Sequence, residues 1–206
     1  MFNMRKYLLL HILIVSSVFL CPPIMLAGEE PQITLNSSYR DLSVYHIRSI
    51  PNVTIHKRHN YGFFGYSTIK HSYENKSISG DNVVINHATG LMWYQSGSEK
   101  DMVWSEARQW VKDLNSRGYA GYSDWRLPTV EEAASLLESS KKAGDLYIDN
   151  VFDVTQSSIW TGDENDSASY IEGVWSIRFA GGYGCGSVCW CYENAVNYVR
   201  PVRSMK

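Results

Sequence analysis

Cys185, Cys189 and Cys191 fall within one short stretch and form the densest group of reactive side chains in the chain. Thiols so close can form a disulfide or, as thiolates, hold a soft ion such as Cu(I). Cys189 and Cys191 are two apart, so on a strand they face the same way and bridge each other poorly. Gly184 and Gly186 flank Cys185 and favour a turn that carries it across the hairpin. The spacing therefore expects Cys185 to bond with Cys189 or Cys191, leaving one thiol over. A second group, Asp163, Glu164, Asn165 and Asp166, places oxygen ligands at close spacing that could hold Ca²⁺, but it lacks the EF-hand pattern and reads first as a solvated acidic loop. Asp163, Glu164 and Asp166 stay as ligand-binding candidates beside Tyr183, Trp190 and Tyr192. Those rings, with Tyr198, combine an apolar body with a polar tip and suit a sugar-contacting surface as well as a core.

Acid–base and nucleophilic chemistry find little support. His46, His56, His59 and His71 match no common metal-ligand spacing and have no cysteine among them, so they read as solvated. His87 stands at a strand-turn position without a matched serine or cysteine motif. The expected site therefore has no catalytic residue, no metal and no cofactor.

The elements that would position these groups are legible after Gly80. Asn82–His87 alternates around Val83 and Ile85, and Ala88-Thr89-Gly90 turns it into Leu91-Met92-Trp93-Tyr94, a hairpin. Ser105–Arg117 carries Ala107, Trp110, Val111 and Leu114 on one helical stripe, with Ser105 as cap, Glu106 in the first turn and Gly118 closing it. Thr129 and Glu132 make a capping box for a second helix with Val130, Ala133, Ala134 and Leu137 inward, ending near Lys141, Lys142 and Gly144. Strands return at Ser158–Thr161, at Val174–Phe179 with Trp175, Ile177 and Phe179 on one face, and in a β-rich run over Tyr192–Arg203. Helices between an N-terminal hairpin and C-terminal strands imply an α+β domain with an antiparallel sheet. From Gly28 to Gly80 turn residues recur and no period persists, so residues 28–80 read as an extension ahead of a domain over 81–206.

Four pieces carry a family resemblance. Ala88–Trp93 (ATGLMW), Gly121–Thr129 with its DWRLPT, Ile159-Trp160-Thr161 and Tyr198–Arg203 (YVRPVR) stand in the order found in the Lcl C-terminal domain, named after a bacterial collagen-like adhesin, which the stretch Asn82–Arg203 resembles. The resemblance implies a C-type-lectin-like fold with two helices on antiparallel strands and its terminal strands together. It also implies a distant relation to the formylglycine-generating enzymes. Within the motif Trp93, Asp124, Trp125, Arg126, Leu127, Pro128 and Thr129 read as architectural: Trp125 and Leu127 alternate inward, and Pro128 fixes the approach to the capped helix. A copper-dependent oxidase resembling those enzymes is the alternative. Gly181-Gly182 ahead of the cysteines favours it, while the missing GFRC-like ending and Pro201 weigh against it.

The start of the chain speaks to location. Arg5 and Lys6, the apolar run Tyr7–Leu20, and Pro22-Pro23 describe a secretory signal over residues 1–27, cleaved after Ala27. Leu20 before Cys21 is bulky where lipoprotein signals use a small residue, so membrane attachment is disfavoured. A net charge of -2 offers no basic footprint for nucleic acid. The expectation is an exported binding module of adhesion type, with a glycan or another envelope component as partner, or a structural subunit of an envelope assembly.

Overall fold

In a computed structural model of the chain, residues 31–165 and 173–205 are described. Residues 1–27 and Asp166 lie outside them. The architecture is mixed α+β and mostly sheet.

The hairpin forms from β5 (Asp81–Asn86) and β6 (Leu91–Tyr94), which pair antiparallel from Asn86↔Leu91 to Val83↔Tyr94. Gly90 turns the chain at φ 66, a left-handed value that favours glycine. The closing strand β10 (Val202–Ser204) pairs antiparallel with β6, Val202 opposite Trp93. The start and end of the family-like region are therefore adjacent. The rest of the β-rich run Tyr192–Val199 is not a named strand; it makes only single bridges, Asn197 to Met102 and Tyr198 to Ile159.

Of the stretch 28–80 expected as an unpatterned extension, the described residues 31–80 are instead woven into both sheets. β4 (Tyr73–Ile78) completes a four-stranded sheet in the order β10-β6-β5-β4. β1 (Asp41–Leu42), β2 (Val53–His59) and β3 (Gly62–Ser67) join β7 (Ser158–Asn165), β8 (Val174–Gly182) and β9 (Cys185–Cys191) in a six-stranded sheet, order β1-β7-β8-β9-β3-β2. Only β1 and β7 run parallel in it. Leu35, Leu42, Ile47 and Phe63 from this stretch lie in the main core with Trp93, Trp175, Ile177, Phe179 and Val188.

Alternation sorts side chains between two cores. On β5, Val84 enters the main core, while Val83 and Ile85 face a second one under helix α2 (Trp104–Arg117), with Ala107, Val111 and Leu114. α2 begins one residue before the expected cap. Val103 is the boundary residue, and its N–H donates to Glu106 at 3.3 Å. Helix α3 (Val130–Ala134) has the expected capping box, with the Glu132 N–H donating to Thr129 Oγ1 at 3.2 Å and the Thr129 N–H to Glu132 Oε2 at 2.9 Å. It is far shorter than the spacing suggests. Downstream backbone groups turn to the sheet instead: the Ser67 N–H donates to the Leu137 carbonyl, and the Glu138 N–H to that of Tyr147. Propagation stops where tertiary partners take over the hydrogen bonds.

His71, expected in solvent, ties the N-terminal stretch to α3. Its Nε2 lies 2.7 Å from the Ser135 carbonyl, which can only accept, so that nitrogen carries the proton. Nδ1 is then bare and accepts from Asn86 Nδ2 at 2.8 Å. Burial holds the imidazole below its ordinary value of 6.5. A depressed folded-state value means that this contribution to stability is whole above about pH 6.5 and is lost as pH falls through the folded value. Between about pH 8 and about pH 5, the range in which histidine changes charge, urea unfolding of the wild type is expected to lose more stability than that of His71→Gln. Parallel pH profiles would disprove the assignment.

Candidate functional site

The six-stranded sheet buries one face and leaves half of the other open. Cross-strand register lists what the open half presents. One row runs Ser158, Arg178, Ser187, Phe64 and Lys57. The next runs Trp160, Ser176, Cys189, Gly62 and His59. Trp160 is covered, its Nε1 donating to the Met102 carbonyl at 2.8 Å. Beyond it the face opens into a groove of about 720 Å³.

The floor is polar, with Ser158, Ser176, Arg178, Ser187, Cys189 and Asn197. The rim is aromatic. Tyr61 and Trp190 meet edge to face with centroids 5.5 Å apart, and Trp190 and Tyr192 do so at 5.8 Å. At the other end Tyr183 leans on Phe64 at 5.1 Å, with Lys57 Nζ 4.0 Å above its ring. Tyr183 and Gly184 form the two-residue β8–β9 turn at φ 53 and φ 80, so the exposed ring is held out on a left-handed corner.

Of the sequence candidates, Tyr183, Trp190 and Tyr192 come together here. The acidic group does not. β7 runs through Asn165, so Asp163 and Glu164 are consecutive strand residues on opposite faces. Asp163 is fully buried and accepts from the N–H groups of Arg40 at 2.7 Å and Val130 at 2.6 Å. Burial pushes its carboxyl up, while those two donors pull it back. It fastens the N-terminal stretch to α3 and is not available to a solvent ion. Glu164 is exposed beside a smaller cleft of about 300 Å³ lined by Tyr39, Trp104 and Arg126. The Asp166 candidate lies outside the described residues.

The expected disulfide is absent from the structure; Cys185, Cys189 and Cys191 are all free. The turn precedes Cys185 instead of following it, so all three lie on the single strand β9. Four residues of strand, from Cys185 to Cys189, span about 13 Å at about 3.3 Å each, and a bridge needs Cα atoms within about 7 Å. Cys189 Sγ instead lies 3.1 Å from Ser187 Oγ and 3.7 Å from His59 Nε2. Burial pushes the Cys189 thiol up, and burial followed by the Arg178 charge pulls His59 down, so both groups favour their neutral forms. Among the described residues no three His, Cys, Asp or Glu side chains are gathered to hold a metal ion. Thiol titration of the unfolded protein without reductant should count Cys185, Cys189 and Cys191 as free, and a count lower by two would restore the bridge.

The architectural motif surrounds the cores, away from the groove. Trp93, Trp125 and Leu127 are buried. Asn115 clamps the Trp125 backbone with two bonds of 2.8 Å, and the Pro128 carbonyl accepts from the Gly162 N–H at 2.9 Å. Arg126 makes a two-pronged pair with Glu132, both contacts 2.6 Å, and Asp124 takes two bonds from Arg203 at 2.7 and 3.2 Å. Thr129 Oγ1 donates to the Asn36 carbonyl at 2.7 Å.

Several contributors escaped sequence reasoning. His59, Tyr61, Arg178 and Asn197 come from β2, the β2–β3 turn, β8 and the loop before β10, and no local spacing links them. The alternation that sends Ile177 inward was the one signal for Arg178.

These features define a sheet-built α+β domain with a single face opened into an aromatic-rimmed groove. The chain belongs to the Lcl C-terminal domain family, whose family model matches residues 82–203. Comparison with curated proteins and with solved structures returns no match. His59, Tyr61 and Phe64 lie outside the matched stretch, so part of the groove wall is supplied by residues ahead of it.

Proposed function

We propose that the chain is an exported recognition module of adhesion type that binds a glycan or another envelope component in the groove on the open face of its six-stranded sheet. One observation carries this reading. Of seven exposed large apolar side chains among the described residues, Tyr61, Tyr183, Tyr192 and Val196 surround that one groove. A cluster of apolar groups rimming a polar floor marks an interaction site in a way that scattered ones do not. Export is supported by the Arg5-Lys6 start and apolar run of the sequence. No helix among the described residues is long and apolar enough to cross a membrane. A C-type-lectin-like fold is supported by the pairing of β6 with β10, which joins the two ends of the family region.

The test is a glycan array and an envelope-fraction binding assay with the Tyr61→Ala/Tyr192→Ala double variant. Aromatic anchors at a binding centre are worth about 2 kcal/mol or more, so a loss of at least about tenfold is expected. Tyr45, exposed but not lining the groove, serves as control. Unchanged binding in the double variant would remove the groove from consideration. Stoichiometric copper in protein isolated with its thiols intact would favour the oxidase reading, since thiolates select Cu(I).

A further inference from the structure

The smaller cleft shares no lining residue with the groove. It holds about 300 Å³, the lower end of ligand-sized cavities. One stripe of α2 makes its first wall: Trp104, Arg108, Val111 and Asn115 recur at helical spacing, with Lys112 beside them. Trp125, Arg126 and Leu127 line it too, and Tyr39 closes it from the N-terminal stretch, its ring lying where a Cβ on Gly162 would stand. The donors of all three rings are already used. Trp104 Nε1 donates to the Thr161 carbonyl at 2.9 Å, Trp125 Nε1 to that of Tyr119 at 3.0 Å, and Tyr39 Oη to that of Leu127 at 2.9 Å. Asn115 is spent on the Trp125 backbone, and Arg126 on Glu132. The rings therefore offer the cleft no free donor, only their apolar surface.

What remains free is mostly positive. Arg108 lies over the Trp104 ring, its guanidinium carbon 4.8 Å from the centroid, and Lys112 follows four residues later on the same helical face. Neither makes an ion pair among the described residues. Like charges four apart repel on a helix, and an anion between them removes that repulsion. Glu164, on β7, is the one acid among the described lining residues, so two free cations stand against one carboxylate. A sugar is a poor match, because its hydroxyls would be buried against rings that offer them no donor. A flat apolar body that ends in one carboxylate meets both the rings and the cations.

We propose that this cleft is a binding site for a small aromatic carboxylate, whose ring enters among Tyr39, Trp104 and Trp125 while Arg108 and Lys112 hold its carboxylate at the mouth. The site is independent of the groove reading. The probes are 3-phenylpropionate, its amide, which keeps the shape and removes the charge, and acetate, which keeps the charge and removes the ring. Binding is followed by NMR titration of the full exported chain, read at the Trp104 indole N–H and the Gly162 amide. The acid is expected to bind at least about fivefold more tightly than the amide, as hydrogen bonds to charged groups imply. It should bind at least about tenfold more tightly than acetate, as burial of a ring implies. Arg108→Gln/Lys112→Gln changes two exposed positions and should erase the first preference while leaving amide affinity unchanged. Equal affinity for acid and amide, an acid preference that survives the double variant, or acetate binding as tightly as the aromatic acid overturns the site. So do shifts confined to the groove around Trp190. No binding of any probe overturns it as well, while the groove is judged by its own assay.

Discussion

A chain beginning at Asp81, which keeps all of the family-matched region, is expected not to fold. It would lose Leu35, Leu42, Ile47 and Phe63 from the main core and would leave β9 without β3 and β7 without β1. Each large side chain removed from a packed core costs about 2–5 kcal/mol, and whole domains are stable by only about 5–15 kcal/mol. Four such losses are as large as the total. Three strand edges, on β5, β7 and β9, would also be exposed to pairing between molecules. The fragment should show no dispersed amide spectrum and no cooperative thermal transition, whereas the chain from Pro31 should show both. A fragment from Asp81 that unfolded cooperatively near the midpoint of the longer chain would prove residues 31–80 an accessory layer.

The second large effect is expected at Arg200, in the closing motif. Its guanidinium is fully buried, donating through Nη1 to the carbonyls of Tyr94 and Gln95, and through Nη2 to the Asp153 carbonyl at 3.0 Å and Gln156 Oε1 at 2.5 Å. Phe152 lies against its plane at 4.8 Å. Burial pushes the group down to about 9, still charged at neutral pH. One side chain thereby satisfies acceptors from β6, from the loop after it and from the stretch before β7. Arg200→Met keeps much of the volume but strands these acceptors. A buried acceptor left without a partner costs about 1–3 kcal/mol, so a destabilisation of at least about 3 kcal/mol is expected in urea unfolding. Arg200→Lys, with one donor group in place of a planar fork, should recover only part. A loss below about 1 kcal/mol in Arg200→Met would show that water replaces the guanidinium.

The contrast between what could and could not be read beforehand has a physical basis. The β5–β6 hairpin and α2 alternate cleanly because they have a wet side or face two different cores, so burial is written as a period. β2 and β4 are edge strands, with Lys57, Arg58, Glu74 and Lys76 exposed, and so carry little alternation. In β3 the glycines that read as breakers serve close approach: a Cβ on Gly62 would collide with the Val188 carbonyl. The spacing overextends α3 because Leu137 continues its apolar stripe, although that side chain is buried in the main core beyond the end of the helix. The groove was half legible. Tyr183, Trp190 and Tyr192 share one stretch of chain, but the polar floor is assembled across strands, and register between distant strands is not a local property.

The pairing of β1 with β7 reaches across the chain, as the bond from the Arg40 N–H to Asp163, 123 residues away, illustrates. A ribosome or a secretion channel delivers the N-terminal end first. When β1 and Leu35 emerge, the strand and core that receive them do not yet exist, and β6 waits for β10, which follows every other strand. Nonlocal closure of this kind makes folding slow, because the chain entropy of the long loop is lost before any contact compensates for it. The two sheets therefore cannot close until the late strands are made. Under the proposed export, the order of the strands would help to keep the chain in the state that a channel requires.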